Sequence, residues 1–287
     1  MRIPIDLMRC LPMNDILKLR DVVWLNGMPR SGTTWLSQVF ASAKDVRLKF
    51  CPLFSYEFKN MLDENSSAEQ WQWLFNQTFH TSSDYLDQNY LRKQGLVPEF
   101  EQLLEPSHLV IKTTRFHHLT SIILHLNANV RVVHLVRDPR ASIASWLSNP
   151  YEFPAEADPA EQWRSGACRK NGVGEFWGFD DWKMVTRQAL QLSETFPDRF
   201  MLVSYDQLMK NVCGGVRQVF DFCQLIFDQQ TADFIAQSHR RHDENKRSVF
   251  KRPDKIAQWR QLLDPSIIDA INTEIIGTEF ECFLYDT

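Results

Sequence analysis

Residues 27–35, GMPRSGTTW, constrain the fold of this chain more than any other stretch. They follow a short apolar run rich in β-forming residues, 21–26 (DVVWLN), and lead into a segment with helical periodicity, 33–43. A strand, a glycine-containing loop and a helix in this order gather backbone N–H groups around an anion. The sequence therefore predicts an anion-binding loop at the end of a strand.

This loop differs from an ATP-binding loop at one position. Gly27 and Gly32 have the glycine spacing of a Walker A motif, which continues with Lys and then Ser or Thr. Thr33 stands where that lysine would be, so the group that reaches the β- and γ-phosphates of ATP is missing. Arg30 supplies a positive charge with a planar fork suited to oxyanions. A ligand with a single 5′-phosphate end would not need the lysine.

Three further apolar runs are predicted strands: 108–112 (HLVIK), 130–136 (VRVVHLV) and 199–203 (RFMLV). Helical segments separate them, and this alternation predicts an α/β fold with a mainly parallel sheet flanked by helices. The chain has 287 residues, and we expect residues 1–287 to form a single domain.

Two segments are predicted insertions. Residues 50–104 are rich in aromatic side chains and are expected to form helices inserted between two strands on the acceptor side. Their aromatic side chains either pack the core or wall an acceptor pocket. Residues 154–178 contain four glycines and are either a lid over the site or a surface excursion.

Composition argues against several kinds of partner. Lys plus Arg is 32 and Asp plus Glu is 36, a net charge of −4 that gives no general attraction to nucleic acid or anionic membranes. An anion site must therefore be a local cluster of cations. The six cysteines form no CxxC pair, so we expect reduced thiols and no metal site. No apolar run reaches the length of about 20 residues that a membrane helix needs, and we expect a cytoplasmic protein.

A second anion site is expected in residues 136–147, VRDPRASIASWL. Arg137 comes directly after a predicted strand, and Pro139 suits the first turn of the next helix. Ser145 lies two turns into that helix. Alone, an Arg-Asp-Pro sequence at a strand end is weak evidence, because it often only caps a helix.

Together the two segments resemble a known family. PRSGTTW (29–35) resembles the 5′-phosphosulfate loop of the sulfotransferases that use 3′-phosphoadenosine 5′-phosphosulfate (PAPS), and VVHLVRDPRASIAS (132–145) resembles their 3′-phosphate motif. The amino-acid sequences of these motifs are most similar to those of carbohydrate sulfotransferases, with some likeness to tyrosylprotein sulfotransferases. Weaker matches are VIKTTR (110–115), LVSYDQL (202–208) and KRSVFKRPDKIAQWRQLL (246–263). The resemblance implies a P-loop-kinase-like fold and a metal-independent transfer of sulfate from PAPS that releases 3′,5′-ADP.

The resemblance also implies roles for individual residues. Arg30 would stabilise the 5′-phosphate and the leaving oxygen, and Lys112 would lie near the bridging oxygen. The other implied PAPS-binding residues are Ser31, Gly32, Thr33, Thr34 and Trp35 in the first loop, Arg137 and Ser145 at the 3′-phosphate, Tyr205 near the adenine, and Arg247, Ser248, Lys251 and Arg252 in the basic run.

The general base is absent from both positions where the resemblance would place it. Thr114 stands where cytosolic enzymes have histidine, and Cys51 stands where many carbohydrate enzymes have glutamate. A thiol could act only if its pKa were lowered. The remaining candidates are Glu57 and the pair His117 and His118.

The expected acceptor is a hydroxyl group, or an amine, of a sugar or a small specialised metabolite. The first alternative is an ATP-dependent small-molecule kinase, which Thr33 and Arg137 argue against. The second is a non-catalytic nucleotide-binding protein, which Thr114 and Cys51 make conceivable. The sequence leaves the acceptor, the base and the oligomeric state open.

Overall fold

A single parallel sheet forms the centre of the protein. The computed structural model describes residues 21–251 and 258–285. The sheet has the strand order β2-β3-β1-β4-β5, and each neighbouring pair is parallel. The strands are β1 (Asp21–Asn26), β2 (Val46–Phe50), β3 (His108–Lys112), β4 (Val130–Val136) and β5 (Phe200–Ser204). This confirms the predicted α/β fold with a parallel sheet.

Helices connect and cover the strands. In chain order they are α1 (Thr33–Ala41), α2 (Ala68–His80), α3 (Asn89–Lys93), α4 (Thr120–Leu126), α5 (Pro139–Leu147), α6 (Pro159–Ser165), α7 (Gly178–Thr195), α8 (Tyr205–Lys210), α9 (Val212–Cys223), α10 (Gln229–Arg240), α11 (Trp259–Leu262) and α12 (Pro265–Ile275). Across residues 21–251 and 258–285, no helix is long and apolar enough to cross a membrane.

The central strands are buried on both faces. In β1, Val23 and Leu25 belong to one apolar core together with α1, α9 and α10, whereas Val22 and Trp24 belong to a second core on the other face. Because helices cover both faces, a ligand can approach the sheet only along its edges and strand ends. In open parallel sheets the usual place is the carboxyl ends of the strands.

Three of the predicted strands match their observed bounds, and the fourth is displaced by one residue. The sequence pattern does not reveal β2, whose VRLKF sequence alternates apolar and charged residues. Lys49 is nevertheless buried, because its Nζ donates to Asp87 Oδ1 at 2.7 Å and to the Thr81 carbonyl at 2.6 Å. Arg47 places its guanidinium 4.1 Å from the Phe79 ring centroid. These partners lie more than 30 residues away, so local periodicity cannot indicate them.

The aromatic side chains of segment 50–104 are divided between the apolar core and a cavity. Trp71 and Phe75 on α2 pack into the core, and Trp71 contacts Trp24 edge to face at 6.2 Å. Phe54 and Tyr85 instead line a cavity. Much of this segment is irregular, and its helices α2 and α3 have 13 and 5 residues.

Candidate active site

A cavity of about 610 Å³ opens at the carboxyl ends of the strands. The connection after β1 leads to β2, whereas the connection after β3 crosses β1 to reach β4, so the topology switches direction at β1. Residues after β1, β3, β4 and β5 therefore meet there. Of the residues predicted to bind PAPS or catalyse transfer, the cavity is lined by Arg30, Gly32, Thr33, Thr34, Trp35, Lys112, Arg137, Tyr205, Arg247, Ser248 and Lys251.

The N-terminus of α1 faces this cavity without a cap. Gly32 is the N-cap residue, no side chain accepts from the first-turn amides, and the first turn contains no acidic residue. Those amides have no partner within the helix, and the helix dipole makes this end positive. Gly32 has φ 95°, and a Cβ atom there would lie 2.5 Å from the Tyr205 ring. Only glycine allows the loop and the ring to approach this closely.

Arg30 is held in the cavity by contacts with α5 and the loop that follows it. Its backbone is left-handed, with φ 70°. The Nε atom donates to Ser145 Oγ at 3.1 Å, and Nη1 lies 3.5 Å from Glu152 Oε2. Burial lowers the pKa of Arg30, and the carboxylate of Glu152 opposes that shift. The guanidinium remains a cation with its direction fixed by both contacts.

Lys112 ends β3 beside Arg30. It is 5% exposed, and its Nζ lies 4.6 Å from the Phe50 ring centroid. Burial lowers the pKa of Lys112 to about 8, against the opposing influence of Glu152. Lys112 is therefore mostly charged at neutral pH and loses its charge under mildly alkaline conditions.

Arg137 provides a further cation, and one of its N–H groups has no hydrogen-bond acceptor. Its Nη1 donates to the Arg30 carbonyl at 3.1 Å, and its guanidinium carbon lies 5.1 Å from the Tyr205 ring centroid. Its Nε is buried and has no hydrogen-bond partner. Arg137 also lowers the pKa of Arg30 by charge repulsion. An anion bound between the two arginines would relieve that repulsion and satisfy the buried donor.

The basic run after α10, residues 246–251, also contributes to the lining of the cavity. Ser248 is buried, and Arg247 stacks its guanidinium 4.3 Å from the Tyr151 ring centroid. Lys251 Nζ donates to the Asn245 carbonyl at 2.9 Å. Arg252, also predicted to contact the donor, lies outside the described residues.

Trp35 forms a flat wall with a residue that the sequence analysis did not identify. The rings of Trp35 and His239 stack at 6.0 Å with an interplanar angle of 15°. Trp35 is anchored because its Nε1 donates to Ser238 Oγ at 3.0 Å. Two stacked rings offer a planar ligand an apolar surface.

Two predicted donor-binding residues support the site rather than line it. Ser31 is buried, and its hydroxyl donates to the Met28 carbonyl at 2.7 Å, which fixes the turn of the loop. Ser145 accepts the hydrogen bond from Arg30. In this structure Ser145 therefore orients the guanidinium, because its hydroxyl is directed at Arg30 and it is not among the residues that line the cavity.

The structure does not bring the predicted bases Glu57 and His117 into the cavity. His117 is buried between His134 and Phe176, with ring centroids 5.8 and 5.1 Å away. Burial pushes the pKa of His117 well below its ordinary value. Glu57 is half-buried on the segment after β2. Both residues are a few positions from cavity-lining residues, but the backbone turns them away.

The two substituted positions cannot supply a base either. Burial raises the pKa of Cys51, and its Sγ lies 3.1 Å from Thr113 Oγ1. It is therefore a thiol rather than a thiolate at neutral pH. Thr114 lines the cavity but has no group that ionises near neutral pH.

Glu152 is a carboxylate in the cavity that the sequence analysis missed. Its Oε2 is buried and forms an ion pair with Arg30 Nη1 at 3.5 Å. Trp146 Nε1 donates to the Glu152 carbonyl at 3.4 Å, which ties the loop to α5. Glu152 belongs to none of the quoted motifs. The available signal was its place as the first carboxylate after the helix that carries Ser145.

Comparisons with known proteins agree with this arrangement. A protein-family model described as "Sulfotransferase family" matches residues 23–229, which carry Arg30, Lys112, Arg137 and Tyr205. Carbohydrate sulfotransferase 5 of Mus musculus is 27% identical over 183 residues, 55% of this chain and 43% of that protein. Carbohydrate sulfotransferase 1 of Danio rerio is 25% identical over 189 residues, 60% of this chain and 43% of that protein. The chain thus matches less than half the length of these curated relatives.

Solved structures share the fold at low sequence identity. The mouse sulfotransferase SULT7A1 complexed with PAP has a TM-score of 0.52 at 14% identity, covering 94% of this chain and 93% of that one. The sulfotransferase domain of the Synechococcus PCC 7002 olefin synthase has a TM-score of 0.51 at 19% identity, covering 93% and 95%.

Proposed function

This chain belongs to the sulfotransferase family, and we propose that it transfers a sulfuryl group from PAPS to a hydroxyl group, or an amine, of a sugar or small specialised metabolite. The product from the donor is 3′,5′-ADP. One observation carries the proposal: a single cavity is lined by cations from four separate parts of the chain, Arg30, Lys112, Arg137 and the basic run 246–251. We assign Arg30 and Lys112 (the first cluster) to the 5′ end of PAPS, and Arg137 with the basic run (the second cluster) to its 3′ end. PAPS has one anionic group at its 5′ end and another at its 3′ end.

The residues at the first cluster fit the 5′ end of PAPS. The uncapped first turn of α1 offers amides to a single phosphate, and Gly32 lets the backbone approach it. Thr33 in place of lysine suits a donor that has no β- or γ-phosphate. At the second cluster, the unpartnered Nε of Arg137 supports binding of the 3′-phosphate.

Arg30 and Lys112 would stabilise the transition state. Bound PAPS supplies an activated sulfuryl group and a leaving group that becomes negative at the bridging oxygen. Fixed cations that face this developing charge act in a partly desolvated site, where electrostatic stabilisation is strongest. Contacts with Ser145 and Glu152 fix the direction of the Arg30 guanidinium, and burial restricts the Lys112 side chain.

Glu152 is the proposed general base. It is a carboxylate that lines the cavity, and its Oε2 is paired with Arg30 Nη1 at 3.5 Å, which keeps the base beside the cation that would face the leaving oxygen. The acceptor hydroxyl would give its proton to Glu152 while its oxygen bonds to sulfur. The bond from sulfur to the bridging oxygen breaks, and its electron pair leaves with 3′,5′-ADP. A positioned base of this kind contributes roughly 10²- to 10⁴-fold in rate.

Ligand-dependent stability tests the choice of donor. Thermal unfolding should be followed with 3′,5′-ADP, with ATP plus magnesium, and with no ligand. At 100 times its Kd, a ligand adds about 2.7 kcal/mol to the free energy of unfolding. We expect this gain with 3′,5′-ADP. A gain with ATP alone would contradict the proposal in favour of a kinase, and no gain with either would favour a protein that does not use these nucleotides.

A further inference from the structure

The acceptor side of the cavity carries a guanidinium that no described residue neutralises. Arg169 lies in the 3-10 turn Ala167–Arg169 and lines the cavity. Its Nε is buried and has no hydrogen-bond partner. Within residues 21–251 and 258–285, no carboxylate forms an ion pair with it. A buried donor without an acceptor is costly, and a ligand that brings an oxyanion would remove that cost.

Arg115, on the same side, shows what a neutralised arginine looks like in this cavity. It forms an ion pair with Glu175 and stacks 3.8 Å from the Phe54 ring centroid. The other oxygen of Glu175 accepts from the backbone amides of Asn171 and Gly172, at 2.6 and 2.9 Å. The charge of Arg115 is therefore already used within the protein, and that of Arg169 is not.

Two packed tryptophan rings link Arg169 to the loop that carries the proposed base. Its guanidinium carbon lies 5.9 Å from the Trp177 ring centroid, and Trp177 packs on Trp146 at 5.5 Å. Trp146 donates its Nε1 to the carbonyl of Glu152. A row of rings therefore connects Arg169 with the loop that carries Glu152.

A second aromatic row leads from Lys112 along the acceptor side. The ring of Phe50 lies 5.1 Å from that of Tyr85, and Tyr85 lies 6.3 Å from Phe54. All three rings line the cavity. An acceptor between these rings and Trp177 would contact apolar faces, with the cation of Arg169 at its edge.

Cations outnumber carboxylates among the described residues that line the cavity. Eight Lys and Arg side chains line it, against the single carboxylate of Glu152. Carboxylates nevertheless act on several of these cations: Glu152 on Arg30, Glu175 on Arg115, and Asp243 and Glu244 on Lys251. Arg169 has no such ion pair among the described residues, and an acceptor with its own negative charge would supply one.

We propose that the acceptor is a hydroxylated carboxylate, with a ring or chain packed on the aromatic rows and its carboxylate paired with Arg169. The inference rests on the proposed function, because it concerns the second substrate of the same transfer. It makes Arg169 a specificity-determining residue that acts on the acceptor and not on the donor.

Isothermal titration with matched probes tests this directly. With 3′,5′-ADP saturating, 4-hydroxybenzoate is compared with 4-hydroxybenzamide, and glucuronate with glucose. We expect the carboxylate of at least one pair to bind about tenfold tighter or more than its neutral counterpart. Arg169→Gln should abolish this preference and leave the Kd for 3′,5′-ADP unchanged. Arg187→Gln, which removes an exposed arginine on α7, should retain the preference.

Three results would overturn the inference: equal affinity within both pairs, a preference that survives Arg169→Gln, or no saturable binding by any of the four probes. The titration with 3′,5′-ADP alone distinguishes failure of the acceptor inference from failure of the proposed function. If 3′,5′-ADP binds and no carboxylate preference exists, only the acceptor inference fails. If 3′,5′-ADP does not bind, the proposed function fails.

Discussion

The donor end and the acceptor end of the cavity are built from different kinds of structure. At the donor end, Lys112 ends β3, Arg137 directly follows β4, and Arg30 lies in the loop between the adjacent strand β1 and α1. At the acceptor end, Phe54 and Arg169 come from short 3-10 turns within irregular segments. The hydrogen-bond ladder of the sheet fixes the strand ends that carry the first set, whereas the second set lies in turns outside that ladder. Under the proposed function, the donor would be bound mainly at the edge of the sheet and the acceptor mainly by loops.

The largest effect is expected where the two ends meet, at Glu152. Glu152→Gln removes the proposed base and should lower kcat by roughly 10²- to 10⁴-fold. Release of 3′,5′-ADP from PAPS in the presence of an acceptor measures it. The affinity for 3′,5′-ADP should not fall, since glutamine keeps the shape of the side chain and removes a negative charge beside Arg30.

Glu156→Gln is the matched control, because Glu156 is an exposed carboxylate on the same segment. Its kcat should not change. If Glu57→Gln or His117→Asn lowered kcat while Glu152→Gln did not, the base would belong to the residues that sequence reasoning named, and Glu152 would only orient Arg30.

Arg137→Ala tests whether Arg137 binds the 3′-phosphate while other residues bind the 5′-phosphate. Removing one partner of a desolvated charge pair should weaken 3′,5′-ADP by roughly 30- to 1,000-fold. Binding of 5′-AMP, which lacks the 3′-phosphate, should weaken far less. Titration calorimetry with the two nucleotides measures the difference. Equal losses for both would mean that Arg137 acts through its hydrogen bond to the Arg30 carbonyl and not on a 3′-phosphate.

A pair of glycine variants compares the rigidity of the two ends. Gly32→Ala would place Cβ 2.5 Å from the Tyr205 ring, whereas Gly95→Ala on the acceptor-side segment meets nothing within 4 Å. Both glycines have positive φ, so each variant carries a backbone cost of about 1–2 kcal/mol. Overpacking should lower the free energy of unfolding of Gly32→Ala by about a further 1–3 kcal/mol. Urea unfolding measures both, and equal losses would contradict a tightly packed donor loop.

The smallest expected effect is a pH dependence from Lys112. Because burial lowers the pKa of Lys112 to about 8, raising the pH through this value removes its charge. The affinity for 3′,5′-ADP should therefore fall above about pH 8, by at most about tenfold per pH unit for one proton. Lys112→Arg should flatten this fall. A fall of the same size in that variant would assign the titration to another group.

The sequence predicts well which cations of the first loop and of the segment after β4 meet in one cavity, because these residues lie in contiguous motifs next to regular elements. The strand before Gly27 and the strand before Arg137 both have strong apolar patterns, and strands of one parallel sheet end at the same edge. A short list of cations could therefore be placed together without any knowledge of tertiary contacts.

The acceptor end could not be predicted in the same way. Glu152 and Arg169 lie in turns whose direction depends on ring packing between Trp146 and Trp177, residues 31 positions apart. Ser145 illustrates the same limit at the donor end. Its position in the helix is predicted, but its contact with Arg30 depends on the left-handed backbone at Arg30, which nothing in the sequence requires.

The central position of β1, between β3 and β4, sets the distance between the ends of β3 and β4. Neighbouring strands are about 4.8 Å apart, so the strands that end near Lys112 and Arg137 are separated by about 10 Å, with the loop of Arg30 between them. Insertions or substitutions in the acceptor segments leave this spacing unchanged. Under the proposed function, changes in turns such as Ala167–Arg169 would alter the choice of acceptor, while the distance between the strand ends that carry Lys112 and Arg137 stays fixed by backbone geometry.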